Sequence, residues 1–425
     1  MKRRTYFTRI ADGLLQRRLL SSGAVLIEGP KWCGKTATAS RASKSQLFMQ
    51  DPDKSASYLM AADTKPSLLL QGDTPRLLDE WQSAPVLWDA VRFLVDQRGG
   101  IPGQFILTGS AVPKDDAVSH SGTGRISRLM MRPMSLFESL ESNGMISLKS
   151  LFEGNENLEG FSGLSIEGAA FAITRGGWPA SIGDEDGIAL QHAVDYVEAI
   201  INADVSRVDG VEKNPTRVRA LLRSYARNLS TVATIKTIHD DIAMGDTDSS
   251  LSDKTISQYL VALDRIFVTE NLPAWNPVLR SKTAIRTSVK RHFVDPSIAT
   301  AVMRLTPSRL LDDFQYFGFL FESLCTRDLR VYAESIDGQV FHYRDASGLE
   351  SDTVVCLNDG RWAPIEVKLG AKEIEEAAEH LLELKAKVDT KKMREPSFLM
   401  ILTGTEFAYR RPDGVFVVPI GCLKN

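Results

Sequence analysis

Short apolar runs alternate with helical patterns from residue 1 to about residue 165. The runs are Ala24–Glu28, Gln46–Gln50, Arg76–Asp79 and Gln104–Thr108. Strands that alternate with helices in this way are typical of a parallel α/β sheet. The pattern therefore predicts an N-terminal α/β domain over residues 1–165, which ends in a linker rich in Gly, Asn, Glu and Ser.

The pattern changes twice further along the chain. Residues 166–310 have mostly helical periodicity, and Asn214–Leu229 and Ser252–Phe267 are two clear amphipathic helices. Residues 311–425 begin with an apolar helix, Phe314–Leu329. Strand-like and helical runs then follow at Gln339–Tyr343, Thr353–Leu357, Pro364–Val367, Lys372–Val388 and Ser397–Leu402. We therefore expect three regions, and an α/β multi-domain protein.

Composition, charge and cysteine spacing exclude several classes of protein. The chain has 425 residues, 43% of them hydrophobic, and a formal net charge of −3, which excludes a globally basic nucleic-acid coat. No apolar run approaches the roughly 20 residues that span a bilayer, and the basic start lacks the apolar segment of a signal peptide. Four scattered cysteines fit no zinc spacing. These features predict a cytoplasmic protein without a membrane partner.

A phosphate-binding motif follows the first strand. Residues 29–36 match G-x-x-x-x-G-K-[ST] in full, and they are Gly29, Pro30, Lys31, Trp32, Cys33, Gly34, Lys35 and Thr36. A strand precedes this loop and a helical stretch follows it, so its backbone N–H groups can surround phosphate oxygens. The motif predicts that Lys35 reaches the β- and γ-phosphates of ATP and that the Thr36 hydroxyl ligates Mg²⁺.

Two carboxylates end the strand Arg76–Asp79. Asp79 is placed to hold Mg²⁺ through water, and Glu80 to polarise the attacking water. On its own an apolar–Asp–Glu run is weak, but it gains weight after a complete phosphate loop. Thr108 and Ser110 at the tip of the third strand are candidates to touch the γ-phosphate, with a simple capping turn as the alternative.

Two arginines follow a loop rich in Gly and Ser at 120–124. Arg125 or Arg128, placed against the γ-phosphate of a neighbouring subunit, would stabilise transition-state charge. This hypothesis predicts a homo-oligomer. Surface arginines are common, and the alternative is a solvated side chain.

The chain resembles a bacterial and archaeal family of AAA-like P-loop ATPases with an attached domain of unknown function. The matching stretches are GPKWCGKT, QDPD, RLLDEWQSAPVLWDAVRFLVDQ, FILTGSA, GRISRLMMRPMSLFE, RGGWPA, YLVALDRIFV and RHFVDPSIA. Their order and spacing cover nearly the whole chain. The resemblance implies ATP and Mg²⁺ as cofactors. One departure is Lys31, where the family usually has arginine.

A basic hairpin candidate follows the second amphipathic helix. Residues 280–291 carry Arg280, Lys282, Arg286, Lys290 and Arg291 and no acid. A helix with a polar face before a basic hairpin is the pattern of a winged helix, and the family resemblance supports such a module over 166–310. The hairpin would lie along DNA phosphates. The alternatives are a solvated charged face and a module that binds another protein.

The C-terminal region contains a predicted hairpin of carboxylates. Asp352 is seven residues before Asp359 in the turn Asn358–Arg361, and Glu366 is seven after it. The two carboxylates should therefore lie opposite each other, with Lys368 on the same face. Such a pair repels unless a cation lies between them, so Asp352→Asn is expected to stabilise the metal-free fold slightly.

This D-x₁₃-E-x-K pattern resembles the restriction-endonuclease-like PD-(D/E)xK nuclease superfamily. The resemblance implies an α/β domain over 311–425 in which Asp352 and Glu366 bind Mg²⁺, Lys368 assists catalysis and Glu322 on the preceding helix is a further metal ligand. The alternative is an exposed strand with a cross-strand ion pair.

Three functions remain open at this point. The leading one is Mg²⁺-dependent ATP hydrolysis coupled to a DNA-directed task, including metal-dependent cleavage. The second is a nucleotide-dependent binding switch or regulator with an inactive nuclease fold. The third is an ATP-driven remodeller of proteins, whose partner the sequence does not name.

Overall fold

A computed structural model describes residues 5–110, 122–156, 158–207, 211, 213–245, 251–279 and 284–425. As far as they are described, Met1–Pro133, Ala203–Glu212 and Val261–Val268 form a first compact unit. The second unit comprises Met134–Asn202, Lys213–Leu260 and Thr269–Asn425. The predicted residues Arg280 and Lys282, and the start of the loop at 120–124, lie outside the described residues.

The first unit contains a five-stranded sheet of parallel strands. In chain order the strands are β1 Ala24–Glu28, β2 Ser45–Phe48, β3 Arg76–Asp79, β4 Phe105–Gly109 and β5 Ile126–Met130. Their order in space is β2-β3-β4-β1-β5, and every pairing is parallel. The carboxyl end of β1 therefore lies where the connections diverge to the two sides of the sheet, which is where open α/β sheets bind ligands. The expected N-terminal parallel sheet is confirmed.

Alternate residues of β1 pack on opposite faces of this sheet. Ala24 and Leu26 join a core that includes helix α4, Val86–Gln97, whereas Val25 and Ile27 join a core that includes helix α1, Ile10–Leu19. A strand buried on both faces reads as a continuous apolar run. This is why the sequence Ala-Val-Leu-Ile signals a central strand.

The helices of the described chain are mostly short. Besides α1 and α4, they are α2 Lys35–Ala42, α3 Ser55–Thr64, α5 Leu148–Phe152, α6 Ile166–Arg175, α7 Asp186–Ala199, α8 Val205–Arg207, α9 Pro215–Arg227, α10 Ile235–Gly245, α11 Asp253–Arg265, α12 Ser297–Met303, α13 Pro307–Asp312, α14 Phe314–Ser335 and α15 Ile374–Lys387. None of these combines the length and the apolar character that crossing a bilayer requires.

The second unit contains a seven-stranded mixed sheet. Its strands are β7 Gly160–Phe161, β8 Gly338–Arg344, β9 Glu350–Leu357, β10 Trp362–Lys368, β11 Met400–Thr403, β12 Phe407–Arg410 and β13 Phe416–Pro419. They are arranged as β7-β12-β13-β11-β10-β9-β8, and β14 Leu423–Lys424 pairs separately with β6 Ile146–Ser147. Helix α14 is buried over most of its 22 residues, since it packs on β8, β9 and β10.

The hairpin of β9 and β10 has the register that the sequence predicts. Trp362 lies opposite Cys356, and the pairing runs in step to Ile365 opposite Thr353. One step further places Glu366 opposite Asp352. The prediction of this register is confirmed.

A segment between α11 and α12 adds to the second unit. Thr269 forms an antiparallel bridge with Phe293, and Leu272 forms another with Lys290. Ile285 bridges to Asp345, next to β8. The segment that the sequence assigns to a basic hairpin is therefore joined to the C-terminal sheet.

Candidate functional site

The phosphate loop occupies the turn between β1 and α2. Gly34 caps α2 with φ of 103°, and Gly29 has φ of 147°. A side chain at Gly29 would collide with the carbonyl oxygen of Met131, so both glycines are needed for the loop's path. Trp32 also has a left-handed backbone, with φ of 66°. The N-terminus of α2 thus opens onto the loop, as anion binding requires.

Lys35 lies folded into its own loop. Its Nζ donates hydrogen bonds to the carbonyl oxygens of Gly29, at 2.8 Å, and Pro30, at 2.7 Å. The side chain is buried, with the residue only 6% exposed. Both acceptors are neutral main-chain oxygens, which a phosphate oxygen can replace by a stronger, charged hydrogen bond.

Asp79 is the centre of a polar cluster at the end of β3. Its Oδ1 accepts hydrogen bonds from the hydroxyls of Thr36, at 2.8 Å, and Thr108, at 2.6 Å. Its Oδ2 accepts one from Gln50, at 3.2 Å. The carboxylate and the Thr36 hydroxyl are therefore close enough to share one Mg²⁺, directly or through water.

Glu80 stands next to this cluster in a left-handed conformation, with φ of 54°. Its carboxylate accepts hydrogen bonds from the amide of Gln82 and, at 3.4 Å, from the hydroxyl of Ser110. A residue other than glycine in this conformation carries backbone strain, and such strain is concentrated at functional sites. The turn directs Glu80 toward the tip of β4, where Ser110 lies.

Two further loop residues have structural contacts. Lys31 forms an ion pair of 2.6 Å with Asp204 in the π-helix Ile200–Asp204. The thiol of Cys33 is buried and donates to the Met131 carbonyl oxygen at 3.2 Å. These contacts hold the middle of the loop against other parts of the first unit.

The two arginines lie at different levels of the sheet. The carbonyl of Arg125 accepts the N–H of Ala24 at the amino end of β1, about 13 Å along the strand from the phosphate loop. Its guanidinium is paired with Asp96 at 2.8 Å. Arg128 pairs with Glu28, directly before the loop, at 3.0 Å. Arg125 therefore does not reach the phosphate loop of its own chain.

The carboxylate cluster of the second unit brings together all four side chains that the nuclease resemblance implies. Lys368 lies 3.1 Å from the Glu366 carboxylate and 3.9 Å from that of Asp352. Asp352 Oδ2 also accepts the backbone N–H of Val367 at 3.0 Å. Glu322 comes from α14, and both it and Glu366 are buried.

A fifth residue, Lys290, completes this cluster. Its Nζ donates to Glu322 Oε1 at 2.8 Å and to Asp352 Oδ1 at 3.2 Å. The residue is only 7% exposed. The prediction that Lys290 faces DNA phosphates on a basic hairpin is therefore wrong, because its charge is needed to neutralise buried carboxylates. Arg286 and Arg291 lie on the same segment, and Arg286 is exposed.

Burial and charge act against each other in this cluster. Desolvation raises the pKa of Glu322 to about 8 in spite of Lys290, and it raises the pKa of Glu366 well above its usual value. Asp352 is also desolvated, but Lys290 and Lys368 hold its pKa below its usual value. The same carboxylates raise the pKa of both lysines against the effect of burial.

Mg²⁺ does not fit this cluster as it stands. Within the described ranges, no group of three or more His, Cys, Asp or Glu side chains is arranged to hold a metal ion. The Lys290 ammonium lies between Glu322 and Asp352, two of the three carboxylates to which the nuclease resemblance assigns the ion. An ammonium and a divalent cation repel each other at such a distance.

An open cleft of about 710 Å³ adjoins the cluster. Its lining includes the charged residues Lys290, Glu322, Asp352 and Lys368, and Asn228 and residues 230–233 before α10 form another part of the wall. His342 also lines this cleft and is itself buried. The cluster is thus accessible from solvent on one side.

Comparison with known proteins connects the first site to a family. Residues 21–140 match the family model of an AAA domain, over the phosphate loop, Asp79 and Glu80. This part of the chain is therefore similar to an AAA domain. The match supports an ATPase function of the AAA-like kind, for which nucleotide and Mg²⁺ are the usual cofactors.

The remaining matches carry no functional description. Residues 167–309 match a domain of unknown function (DUF8612), and residues 317–423 match another (DUF4143). Among solved structures, the Walker-type ATPase PABY2304 of Pyrococcus abyssi is similar at 13% identity and a TM-score of 0.41. That similarity covers 70% of this chain and 96% of the other. No curated protein matches the chain.

Several residues of both sites make contacts that the sequence does not predict. In the ATPase domain, Gln50 and Gln82 bind the two acidic side chains, and only the position of Gln50 directly after β2 hints at its role. Lys290 carries no motif at all. Its contact with Glu322 spans 32 residues and its contact with Asp352 spans 62, so only the folded structure connects them.

Proposed function

We propose that this protein is a Mg²⁺-dependent ATPase that works on DNA. The observation that carries ATP hydrolysis is the contact of 2.8 Å between Thr36 and Asp79, because it joins the two halves of the metal and phosphate site. The loop glycines, the N-terminus of α2 and the buried Lys35 support the same assignment.

Each residue of the site has a task in this proposal. Lys35 exchanges its carbonyl partners for the β- and γ-phosphate oxygens of ATP. Thr36 and Asp79 hold Mg²⁺, which neutralises charge between those phosphates when it is bound. Glu80 orients and polarises the attacking water, and Ser110 and Gln82 fix the direction of its carboxylate.

Two variants distinguish ATP binding from ATP hydrolysis. Lys35→Ala should abolish ATP binding, since it removes the charged donor to the phosphates. Glu80→Gln should keep ATP binding but hydrolyse far more slowly, because the amide cannot polarise water. A wild-type protein that shows neither an ATP-dependent thermal shift nor phosphate release would contradict the proposal.

The arginines suggest that the sites are shared in a homo-oligomer. Arg125 lies at the opposite end of β1 from its own phosphate loop, which suits an arginine that acts in a neighbouring subunit. Arg125→Ala should lower turnover and spare ATP affinity, because the charge it neutralises develops in the transition state. Turnover per subunit that stays constant on dilution to a proven monomer would exclude this role.

The DNA-directed task rests on the nuclease-like cluster and on the exposed Arg286. A nuclease-like fold provides a surface for the sugar-phosphate backbone even where it does not cut. Arg286→Glu should weaken DNA binding across sequences and flatten its salt dependence. The matched control is Arg309→Glu, an exposed arginine on α13. Equal loss in both variants would remove Arg286 from the interface.

A second candidate function follows from Lys290. Because its ammonium lies among the carboxylates, the nuclease-like part suits a binding switch or regulator whose state depends on the nucleotide. Plasmid nicking with Mg²⁺ would favour the cleaving enzyme. DNA affinity without nicking would favour the switch, and the absence of both would leave the ATP-driven remodeller of proteins.

A further inference from the structure

We infer that the Lys290 ammonium is the permanent cation of the carboxylate cluster and replaces a divalent metal ion there. The cluster has the four residues that the nuclease resemblance implies, Glu322, Asp352, Glu366 and Lys368. Lys290 is a fifth side chain, outside that pattern. The inference does not depend on ATP hydrolysis, because all five residues belong to the second unit.

The backbone fixes Lys290 in this position. Its N–H donates to the carbonyl oxygen of Leu272 at 2.9 Å, and its own carbonyl accepts the N–H of Leu272 at 2.8 Å. This pair of bonds belongs to an antiparallel bridge, so residue 290 has a defined register. A lysine held by its backbone and buried at its ammonium is not a mobile surface side chain.

The Asp352 oxygens and Glu322 Oε1, which a metal would need, are already engaged. Lys290 donates hydrogen bonds to Glu322 Oε1 and Asp352 Oδ1, and the Val367 N–H donates one to Asp352 Oδ2. Glu366 is paired with Lys368 through Oε2. Mg²⁺ demands near-octahedral oxygen ligands at about 2.1 Å. It could obtain Glu322 and Asp352 as ligands only by displacing the ammonium.

Each carboxylate of the cluster already contacts an ammonium group. Two ammonium groups, Lys290 and Lys368, face Glu322, Asp352 and Glu366. Glu366 Oε1 is buried and has no hydrogen-bond partner among the described residues, but this one oxygen cannot supply the coordination shell that Mg²⁺ requires. A divalent ion would add positive charge next to two ammonium groups, which repel it.

Removal of Lys290 should therefore create a metal site. We would count bound Mn²⁺ by electron paramagnetic resonance on the full chain, without nucleotide, for four proteins. These are the wild type, Lys290→Met, Lys290→Met with Asp352→Asn, and Lys385→Met, a control that loses one exposed lysine of α15. Any ion bound at the phosphate loop is common to all four.

The expected result is one additional Mn²⁺ per chain, in the millimolar range, in Lys290→Met alone. The double variant and Lys385→Met should match the wild type. A folded Lys290→Met that gains no ion would overturn the inference. If Lys290→Met does not fold, the wild type compared with Asp352→Asn decides. A wild-type ion that Asp352→Asn removes overturns the inference, and equal Mn²⁺ counts support it.

Discussion

Both sites of this protein contain a buried lysine, but the two lysines have different partners. In the ATPase domain, Lys35 rests on two main-chain carbonyl oxygens. In the second unit, Lys290 rests on two carboxylates. Both lysines donate charged hydrogen bonds, but only the carboxylates add the attraction of a full negative charge. Lys35 is therefore held ready to exchange partners, whereas Lys290 is held in place.

This difference in partners distinguishes a site that can bind a ligand from a cluster whose charged groups already pair with each other. A phosphate that enters the loop offers Lys35 a better partner than it has. No anion offers Lys290 more than the two carboxylates it already contacts, and no cation can share them without repulsion. The same residue type thus serves ligand binding in one unit and internal charge balance in the other.

The largest expected effect comes from Asp352→Asn, which breaks the Lys290 contact. Loss of one partner from a buried ion pair costs about 3 kcal/mol, so the second unit should lose stability by that order. The slight stabilisation expected from sequence alone is reversed, because the attraction of Lys290 and Lys368 for Asp352 outweighs the repulsion from Glu366. Chemical denaturation of the wild type and the variant measures the difference.

Lys368→Met provides the comparison for that result. Lys368 lies at the edge of the cluster and is less buried than Lys290, so its removal should cost less than Asp352→Asn. A larger loss from Lys368→Met would assign the charge balance to Lys368 instead.

The next largest effect is expected for Lys35, whose two carbonyl partners a phosphate can replace. ATP present at 100 times its dissociation constant stabilises its domain by about 2.7 kcal/mol. Lys35→Ala should lose this gain and leave the unliganded protein nearly unchanged, because Lys35 contacts only neutral oxygens. Thermal shift with and without ATP and Mg²⁺ measures both quantities. Lys54→Ala, an exposed lysine before α3, should keep the whole shift.

His342 tests how dry the cleft beside Lys290 is. Burial, together with Lys290 and Arg344, lowers the pKa of His342 to about 4, although a hydrogen bond to the Ser288 carbonyl acts in the opposite direction. The folded state therefore resists a proton that the unfolded state takes up below pH 6.5. Stability contributed by neutral His342 is complete above that pH and is lost as the pH falls toward 4, by about 2 kcal/mol at pH 5.

The control for this dependence is His342→Gln, whose amide can still donate to Ser288. The difference in unfolding free energy between wild type and variant, measured from pH 7 to pH 5, isolates the histidine from all other groups. A difference that is flat with pH would mean that water reaches the ring.

The smallest effect belongs to Lys31, which is paired with Asp204 but is 43% exposed at its side chain. Pairs of exposed side chains contribute about 0.5 kcal/mol. Lys31→Met should change the stability of the first unit by that order, and less at high salt. A loss that matches Asp352→Asn would break the distinction between exposed and buried partners.

The sequence predicts the parts of the fold that local patterns determine. The run at β1 and the complete phosphate motif place the first site, because strand, loop and helix follow each other directly. The turn Asn358–Arg361 sets the register of β9 and β10 in the same way. The assignment of the winged helix and of the nuclease fold stays a prediction.

What escaped prediction depends on distant contacts. In the sequence, Lys290 is one of several basic residues in a polar segment. Its burial depends on the bridge to Leu272, which the sequence does not reveal. Gln82 reaches Glu80 because of a left-handed turn, which the sequence Asp-Glu-Trp-Gln does not reveal. The short strands β7 and β12 are likewise formed by pairing across more than 200 residues.

The bridge between Leu272 and Lys290 also bears on how the protein can be divided for study. The two matched families split between residues 309 and 317, so Lys290 falls on one side and its carboxylate partners on the other. A fragment that begins at residue 311 would keep Glu322, Asp352 and Glu366 and lose the cation that balances them. Such a fragment should bind metal ions that the intact chain excludes. Its metal binding would result from the loss of Lys290 and would not be a property of the whole protein.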